Sequence, residues 1–144
     1  MAEISSIHSV EISTIAHATE DTSKVEEALR RLLLGTSLPF TRRYLEGHHR
    51  NPIVRVDTRL SRKDAVRFAE TLMRDLPRSE RLRIQRNLAL HSDDEGNLYI
   101  RLDKQKLFLG EVRLGEEDPV RVKIKFSRLL GESERAMTDL LESE

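Results

Sequence analysis

Basic side chains at alternating positions of an apolar run bear most directly on chemistry in this sequence. In 120–126 the residues Arg121, Lys123 and Lys125 alternate with four apolar residues. Because strand side chains point alternately to two faces, the three cations would share one face and the apolar residues the other. Neighbouring like charges repel one another, and a polyanion would relieve that repulsion. For one strand taken alone, a solvated face without a ligand is the simpler explanation.

The same alternation recurs in segments 53–59 and 98–103. If the three segments share a sheet, its uncovered face carries Arg55, Arg59, Arg101, Arg121, Lys123 and Lys125. Tyr99 on that face offers one surface for base stacking, although a single Tyr makes a weak platform. We therefore expect phosphate and ribose contacts, with recognition by shape rather than by base sequence.

Charge is segregated along the chain even though the net charge is zero. Segment 40–63 holds seven Arg and Lys against two acidic residues, and 101–130 holds eight against five. The last residues, 131–144, are acidic. Such polarity favours a polyanion partner, but proteins from hot environments are also rich in charge for reasons of stability.

Other candidate chemistry is weaker. His48 and His49 are adjacent in a turn and lack the i, i+4 spacing of helical metal sites, so we predict no metal and instead phosphate contacts together with Arg50. Asp103 and Lys104 follow a strand and are better explained as an ion pair or phosphate contact than as a catalytic pair. No phosphate-binding Gly-rich loop, nucleophile elbow or HExxH motif is present, so we expect no cofactor and no enzyme. An enzyme acting on RNA or a nucleotide, built from these four residues, stays as an alternative.

Hydrophobic periodicity predicts the element order β-α-β-β-α-α-β-β-β-α. The first helix, capped by Asp21 or Thr22, carries the stripe Val25, Ala28, Leu29, Leu32 and Leu33. Ser61 is predicted to open the second helix with a capping box. A third helix is expected over 79–90 with Leu82, Gln85, Leu88 and Ala89 inward, a short strand over 111–114, and an acidic C-terminal helix, capped by Ser133, over about 132–142.

Composition bounds the class of protein. A chain of 144 residues fits a single domain, 1–144, and the absence of cysteine excludes disulfides and thiolate zinc sites. No apolar run is long enough to span a membrane, so we expect a soluble, cytoplasmic protein. The predicted fold is α+β, a single mostly antiparallel β-sheet with helices packed on one face.

Three ordered motifs carry a family resemblance: His-Ala-Thr-Glu-Asp at 17–21, Gly-His-x-x-Asn-Pro-Ile at 47–53, and Arg-x-Asp-Lys-Gln at 101–105 with Gly110 after it. Together they resemble an archaeal family of RNA-binding proteins linked to the exosome, with a fold similar to large-subunit ribosomal protein five. The resemblance covers about residues 10–128. It implies binding of structured or double-stranded RNA, with low sequence specificity and without known catalysis.

The resemblance also points to the 47–52 loop and to Asp103, Lys104 and Gln105. The family commonly has Tyr and Gly where this chain has His49 and Arg50. With the basic strands, the predicted RNA contacts are Arg42, Arg43, His48, His49, Arg50, Arg55, Arg59, Arg101, Lys104, Gln105, Arg121, Lys123 and Lys125. The main alternative is a protein-interaction subunit of an RNA-processing complex, or a homodimer, that uses the charged sheet face. The acidic tail would then bind a basic partner or shield that face.

Overall fold

In the part of the chain that the structure describes, one antiparallel sheet of five strands forms the framework. The computed structural model describes residues 6–33, 40–47, 50–127 and 133–143. The strands lie in the order β2-β3-β1-β5-β4, and each neighbouring pair is antiparallel. Their bounds are β1 (Ile7–Ala16), β2 (Thr41–Glu46), β3 (Pro52–Ser61), β4 (Asn97–Asp103) and β5 (Pro119–Phe126). The predicted α+β class is confirmed.

In the described residues, five α-helices connect and cover the strands. They are α1 (Thr22–Leu32), α2 (Arg62–Asp75), α3 (Arg78–Arg86), α4 (Lys104–Phe108) and α5 (Ser133–Glu142). A 3-10 turn, Leu88–Leu90, follows α3. Within the described part of the chain, none of these helices is long and apolar enough to cross a membrane.

Alternation along the strands separates the two faces of the sheet. On β5, Val120, Val122, Ile124 and Phe126 are buried, whereas the residues between them point to the other face. The apolar face packs against the stripes of α1, α2 and α5 to form one core. Burying each large apolar side chain stabilises the fold by about 1.5–3 kcal/mol. A slip of one residue in register would expose this set, so burial fixes which face each basic residue occupies.

Helix α1 forms as its sequence predicts. The Asp21 side chain accepts a hydrogen bond from Ser23 N at 2.9 Å and so satisfies one of the free N–H groups at the helix start. The predicted apolar stripe of this helix is buried.

The start of α2 differs from the prediction. Ser61 precedes the helix, but its side chain makes no capping hydrogen bond, so the predicted capping box is wrong. The cause is local: Arg62 has φ 52°, in the left-handed region, and this turns the chain away from capping geometry.

The predicted strand over 111–114 is also wrong. After β4 the chain forms the short helix α4, whose cap is the Asp103 side chain accepting from Lys106 N at 3.0 Å. Residue Leu114 makes only an isolated bridge to Leu102. At Gly115 an added Cβ would lie 2.7 Å from Asp103 Cα, so glycine allows this segment to return against the end of β4.

The predicted inward face of α3 is wrong. Its buried residues are Glu80 and Ile84, whereas Leu82 and Gln85 are only partly covered, and the 3-10 turn replaces the last predicted helical residues. The buried carboxylate of Glu80 accepts from Arg113 Nε at 3.0 Å and Leu114 N at 2.7 Å. These long-range partners explain the buried charge, because a buried carboxylate needs donors.

The acidic helix α5 belongs to the core. Its buried residues are Ala136, Met137, Leu140 and Leu141, as predicted. Ser133 is the first helical residue, and position 132, which would cap, lies outside the described residues. The helix packs against α2, α3 and β5, and its described residues lie on the apolar side of the sheet. It therefore does not shield the opposite, basic face.

Candidate nucleic-acid interface

The sheet face opposite the helices, called the open face below, gathers cations from four strands. The strand registers place on it Arg43, Arg55, Arg59, Arg101, Arg121, Lys123 and Lys125. Three carboxylates share this face: Glu11, Asp57 and Asp103. Six of the seven cations are exposed and Lys123 is half-buried. The registers thus place the six cations that were predicted for the uncovered face on one side of the sheet, and they add Arg43 from β2.

Strand register brings like charges directly opposite one another. Arg43 lies opposite Arg55 across β2 and β3, and Arg101 lies opposite Arg121 across β4 and β5. Opposed like charges on neighbouring strands are destabilising. An anion above the sheet would lower the energy of both pairs.

Local carboxylates compensate only part of this charge. Asp57 lies 3.6 Å from Arg55 Nε, Glu11 lies 3.6 Å from Lys123 Nζ, and Glu116 lies 3.3 Å from Arg101. Such exposed pairs contribute about 0–1 kcal/mol and exchange readily for another anion. Among the described residues, four of the seven make no ion pair: Arg43, Arg59, Arg121 and Lys125.

The open face is concave. A depression of about 580 Å³ extends from β2 to β4, and the charged and aromatic residues that line it include Glu11, Arg43, Arg59, Tyr99, Arg121 and Lys123. Basic residues therefore surround a shallow surface, which suits an extended polyanion better than a small, enclosed ligand.

The Tyr99 ring is fixed at one end of this depression. Its hydroxyl donates to Asp93 Oδ2 at 2.8 Å, and Asp93 also accepts from the Asn97 side chain and from Glu95 N and Asn97 N. Desolvation raises the pKa of Asp93, but these hydrogen bonds outweigh it and lower the pKa to about 2. The hydrogen bond to Asp93 raises the pKa of the Tyr99 hydroxyl, so Tyr99 stays a neutral donor.

Lys104 does not lie on the surface, which corrects its prediction as an RNA contact. The residue is 2% exposed, and its ammonium group donates to Ile15 O at 2.8 Å, Glu20 Oε1 at 2.9 Å and Asp118 Oδ2 at 2.7 Å. An ammonium has three N–H donors, and these three acceptors use them all. Lys104 is therefore unable to contact RNA in this conformation.

The surroundings of Lys104 join two of the sequence motifs. His17 Nε2 lies 2.9 Å from Asp118 Oδ1, and His17 N donates to Glu20 Oε1. Desolvation raises the pKa of Asp118, but hydrogen bonds with Lys104 and His17 together lower it. Ligand atoms of His17, Glu20 and Asp118 lie within 4.8 Å of one another, as in a metal site, but the Lys104 ammonium already bonds both carboxylates. This arrangement fits an internal ion-pair cluster that ties β1, α4 and the 116–118 loop together.

Arg42, one of the predicted RNA contacts, lies on the helix side of the sheet and not on the open face. It is paired with Val56 of β3, a core residue, and its guanidinium donates to Glu26 of α1 at 2.7 and 3.0 Å. The hydrogen bond to Glu26 raises the pKa of Arg42 further above its ordinary value. Neighbouring strand residues point to opposite faces, so Arg42 and Arg43 are not able to serve one surface together.

Of the remaining predicted contacts, Arg50 and Gln105 are exposed but do not line the depression, and the other two lie outside the described residues. Arg50 is exposed in the β2–β3 turn with φ 61°, a left-handed conformation that glycine adopts more easily. Gln105 is exposed on α4 and does not line the depression. His48 and His49 lie outside the described residues.

Fold and surface together define an α+β protein with a basic, exposed sheet face. A family model described as "RNA binding" matches residues 9–126, and the chain belongs to this family. The match spans β1 to β5, so it contains the whole open face.

Proteins of similar sequence and structure support this family assignment. The chain is 39% identical over 124 residues to the RNA-binding protein PAB1135 of Pyrococcus abyssi, covering 82% of this chain and 80% of the relative. Two solved structures of similar proteins share the fold. Protein AF2318 of Archaeoglobus fulgidus aligns with a TM-score of 0.79 at 30% identity. The alignment covers 91% of this chain and 94% of the AF2318 chain. Mth689 of Methanothermobacter thermautotrophicus aligns with a TM-score of 0.76 at 33% identity. The alignment covers 94% of this chain and 98% of the Mth689 chain.

Proposed function

We propose that the protein binds structured or double-stranded RNA through phosphate contacts along the open face, with low sequence specificity. The observation that carries this proposal is the register-imposed cluster of seven cations against three carboxylates, which includes two opposed Arg–Arg pairs. Family membership supports RNA as the polyanion. The spread of cations over four strands suits a duplex backbone, since shape and phosphate contacts dominate recognition of double-stranded RNA.

The proposal includes no catalytic step. Lys104, the strongest candidate for chemistry in the motifs, is held by three acceptors inside the protein. RNA incubated with the protein and Mg²⁺ or Mn²⁺ is therefore expected to remain intact, and turnover above a metal-only control would contradict this part. The link to the exosome and to RNA processing, like the similarity to ribosomal protein five, stays a prediction of the family resemblance.

Salt dependence of binding tests the phosphate mechanism. Each phosphate neutralised contributes about 0.7–0.9 to the slope of log affinity against log salt. The double variant Arg121→Gln with Lys125→Gln removes two cations that make no ion pair among the described residues. We expect weaker binding of a blunt RNA duplex and a slope smaller in magnitude by about 1.4–1.8.

The matched control is Lys63→Gln with Arg67→Gln. It removes the same charge from two exposed positions of α2, on the helix side of the sheet. We expect the control to leave the slope nearly unchanged. Binding that ignores salt, or equal losses in the two double variants, would show that the open face is not the binding surface.

A further inference from the structure

Leu90 is an exposed leucine whose backbone is fixed by hydrogen bonds at the edge of the open face. It is 82% exposed at the end of the 3-10 turn, yet its N–H donates to Asn87 O at 2.8 Å and the next residue, His91, donates to Leu88 O at 2.9 Å. A single exposed leucine needs no explanation in general. This one, however, lines the same depression as Tyr99 and the open-face cations.

Hydrogen bonds connect Leu90 and Tyr99 into one rigid unit. Tyr99 N donates to His91 O at 2.7 Å, one residue after Leu90, and the Tyr99 hydroxyl is bonded to Asp93. Tyr99 is 38% exposed and lines the depression. The Tyr99 ring, anchored through its hydroxyl, loses little conformational entropy on binding, and the backbone that carries Leu90 is already ordered by hydrogen bonds.

Basic side chains beside Leu90 and Tyr99 are placed to bind the RNA phosphates on either side of a base. Lys123 lies directly opposite Tyr99 on β5, and Arg101 lies two residues along the same face of β4. Unpaired bases stack on aromatic and apolar side chains, whereas bases in a duplex are already stacked on one another. We propose that Tyr99 and Leu90 form a binding site for one unpaired base of a structured RNA, with flanking phosphates on Lys123 and Arg101.

The inference rests on the proposed function, because the phosphates on either side of the base would bind the open-face cations. It goes further by naming the class of RNA: a duplex with a bulged or looped-out nucleotide. The surrounding charge favours RNA over another copy of the chain. A second open face would bring seven more cations against the first seven. An RNA strand would instead neutralise these cations while one of its bases covers Tyr99 and Leu90.

The test compares two RNAs on the full chain. One is a blunt duplex of about 16 base pairs, the length that a double-stranded-RNA-binding module spans, and the other is the same duplex with one bulged uridine. We expect the wild-type protein to bind the bulged duplex about 5- to 140-fold more tightly. That factor corresponds to about 1–3 kcal/mol of stacking at 1.4 kcal/mol per tenfold.

Three variants locate the preference. Tyr99→Ala is expected to remove most of it, and Tyr99→Phe, which keeps the ring and loses only the hydroxyl, is expected to retain most of it. Leu90→Ala is expected to reduce the preference without affecting the fold, because the side chain is almost fully exposed. The matched control is Leu109→Ala, another leucine, 75% exposed, which does not line the depression.

The outcomes separate this inference from the proposed function. Equal affinity of the wild-type protein for both RNAs, with salt dependence intact, would overturn the base site and leave phosphate binding standing. An undiminished preference in Leu90→Ala and Tyr99→Ala, or an equal loss in Leu109→Ala, would also overturn it. Failure to bind either RNA would overturn both proposals.

Discussion

A lysine ammonium that is 2% exposed must replace every hydrogen bond that it made to water, and Lys104 does so with Ile15 O, Glu20 and Asp118. The two carboxylates keep partial access to solvent, 20% for Glu20 and 39% for Asp118. Removing the lysine would therefore leave two adjacent carboxylates and a backbone carbonyl without their cation.

We predict that Lys104→Met lowers the free energy of unfolding by about 3 kcal/mol. This is the lower end of the range of about 3–5 kcal/mol for breaking a buried ion pair, because water can reach Asp118. Chemical denaturation is the measurement. Lys106→Ala is the matched control: its ammonium makes only a surface contact, 3.8 Å from Glu111, and we expect a loss below about 1 kcal/mol. A stable Lys104→Met variant with weakened RNA affinity would restore Lys104 as an RNA contact.

Single residues also mark the limit of inference from the sequence. Alternation correctly predicted that Arg55, Arg101 and Arg121 share a face, because apolar neighbours on the same strands fix the direction. On β2 every residue is exposed, so no apolar set identifies the inner face. The sequence alone therefore gave no basis for separating Arg43, on the open face, from Arg42, which pairs with Glu26.

Two helix starts, one predicted correctly and one not, show what residue type alone can predict about a secondary-structure element. Asp21 and Ser61 are both good capping residues and both precede helices. Only Asp21 caps in the structure, since the left-handed Arg62 interrupts the geometry after Ser61. Residue type indicates where a helix is able to begin, whereas the approach of the preceding strand decides whether the side chain reaches the helix N–H groups.

We predict unequal costs for removing the two side chains. Asp21→Ala should lower the free energy of unfolding by about 1 kcal/mol, the usual value for a lost cap. Ser61→Ala should change it by less than about 0.5 kcal/mol, as for a surface substitution without a partner. Urea denaturation of both variants measures this difference. Equal losses would mean that Ser61 caps α2 in solution.

The buried face of α3 and the segment that follows α4 were not predicted correctly, because they depend on residues distant in the sequence. The strands, α1, α2 and α5 follow from local periodicity, because each buries a stripe that the sequence displays. The buried face of α3 depends instead on Glu80 meeting Arg113 and Leu114. Helix α4 has a local cap in Asp103, but the chain after it is placed by Gly115, which packs closely against Asp103. Contacts across more than ten residues leave no periodic signal.

At the scale of the whole molecule, net charge and surface charge are different quantities. The chain is neutral overall, yet one face of its sheet carries seven cations against three carboxylates. Burial of the apolar strand faces produces this polarity, because it forces the alternating basic residues outward together. Helix α5, with three acidic residues against one arginine, offsets part of this charge from the other side of the sheet.

A pair of variants with the same change in net charge tests whether position on the molecule matters for RNA binding. Glu11 lies on the open face, between Arg59 and Lys123, and is 3.6 Å from the Lys123 ammonium. Glu11→Gln should tighten binding of an RNA duplex about two- to fivefold, since about 0.5–1 kcal/mol of exposed ion-pair and repulsion energy is removed. Filter binding or fluorescence anisotropy at 0.15 M salt measures it.

Glu70→Gln is the control, at an exposed position of α2. The helix is about 10 Å across and separates this residue from the open face by more than the screening length of about 8 Å at that salt. We expect the affinity to change by less than about 1.5-fold. Similar gains from both variants would mean that the molecule attracts RNA through its total charge, and the register of the sheet would then have no part in binding.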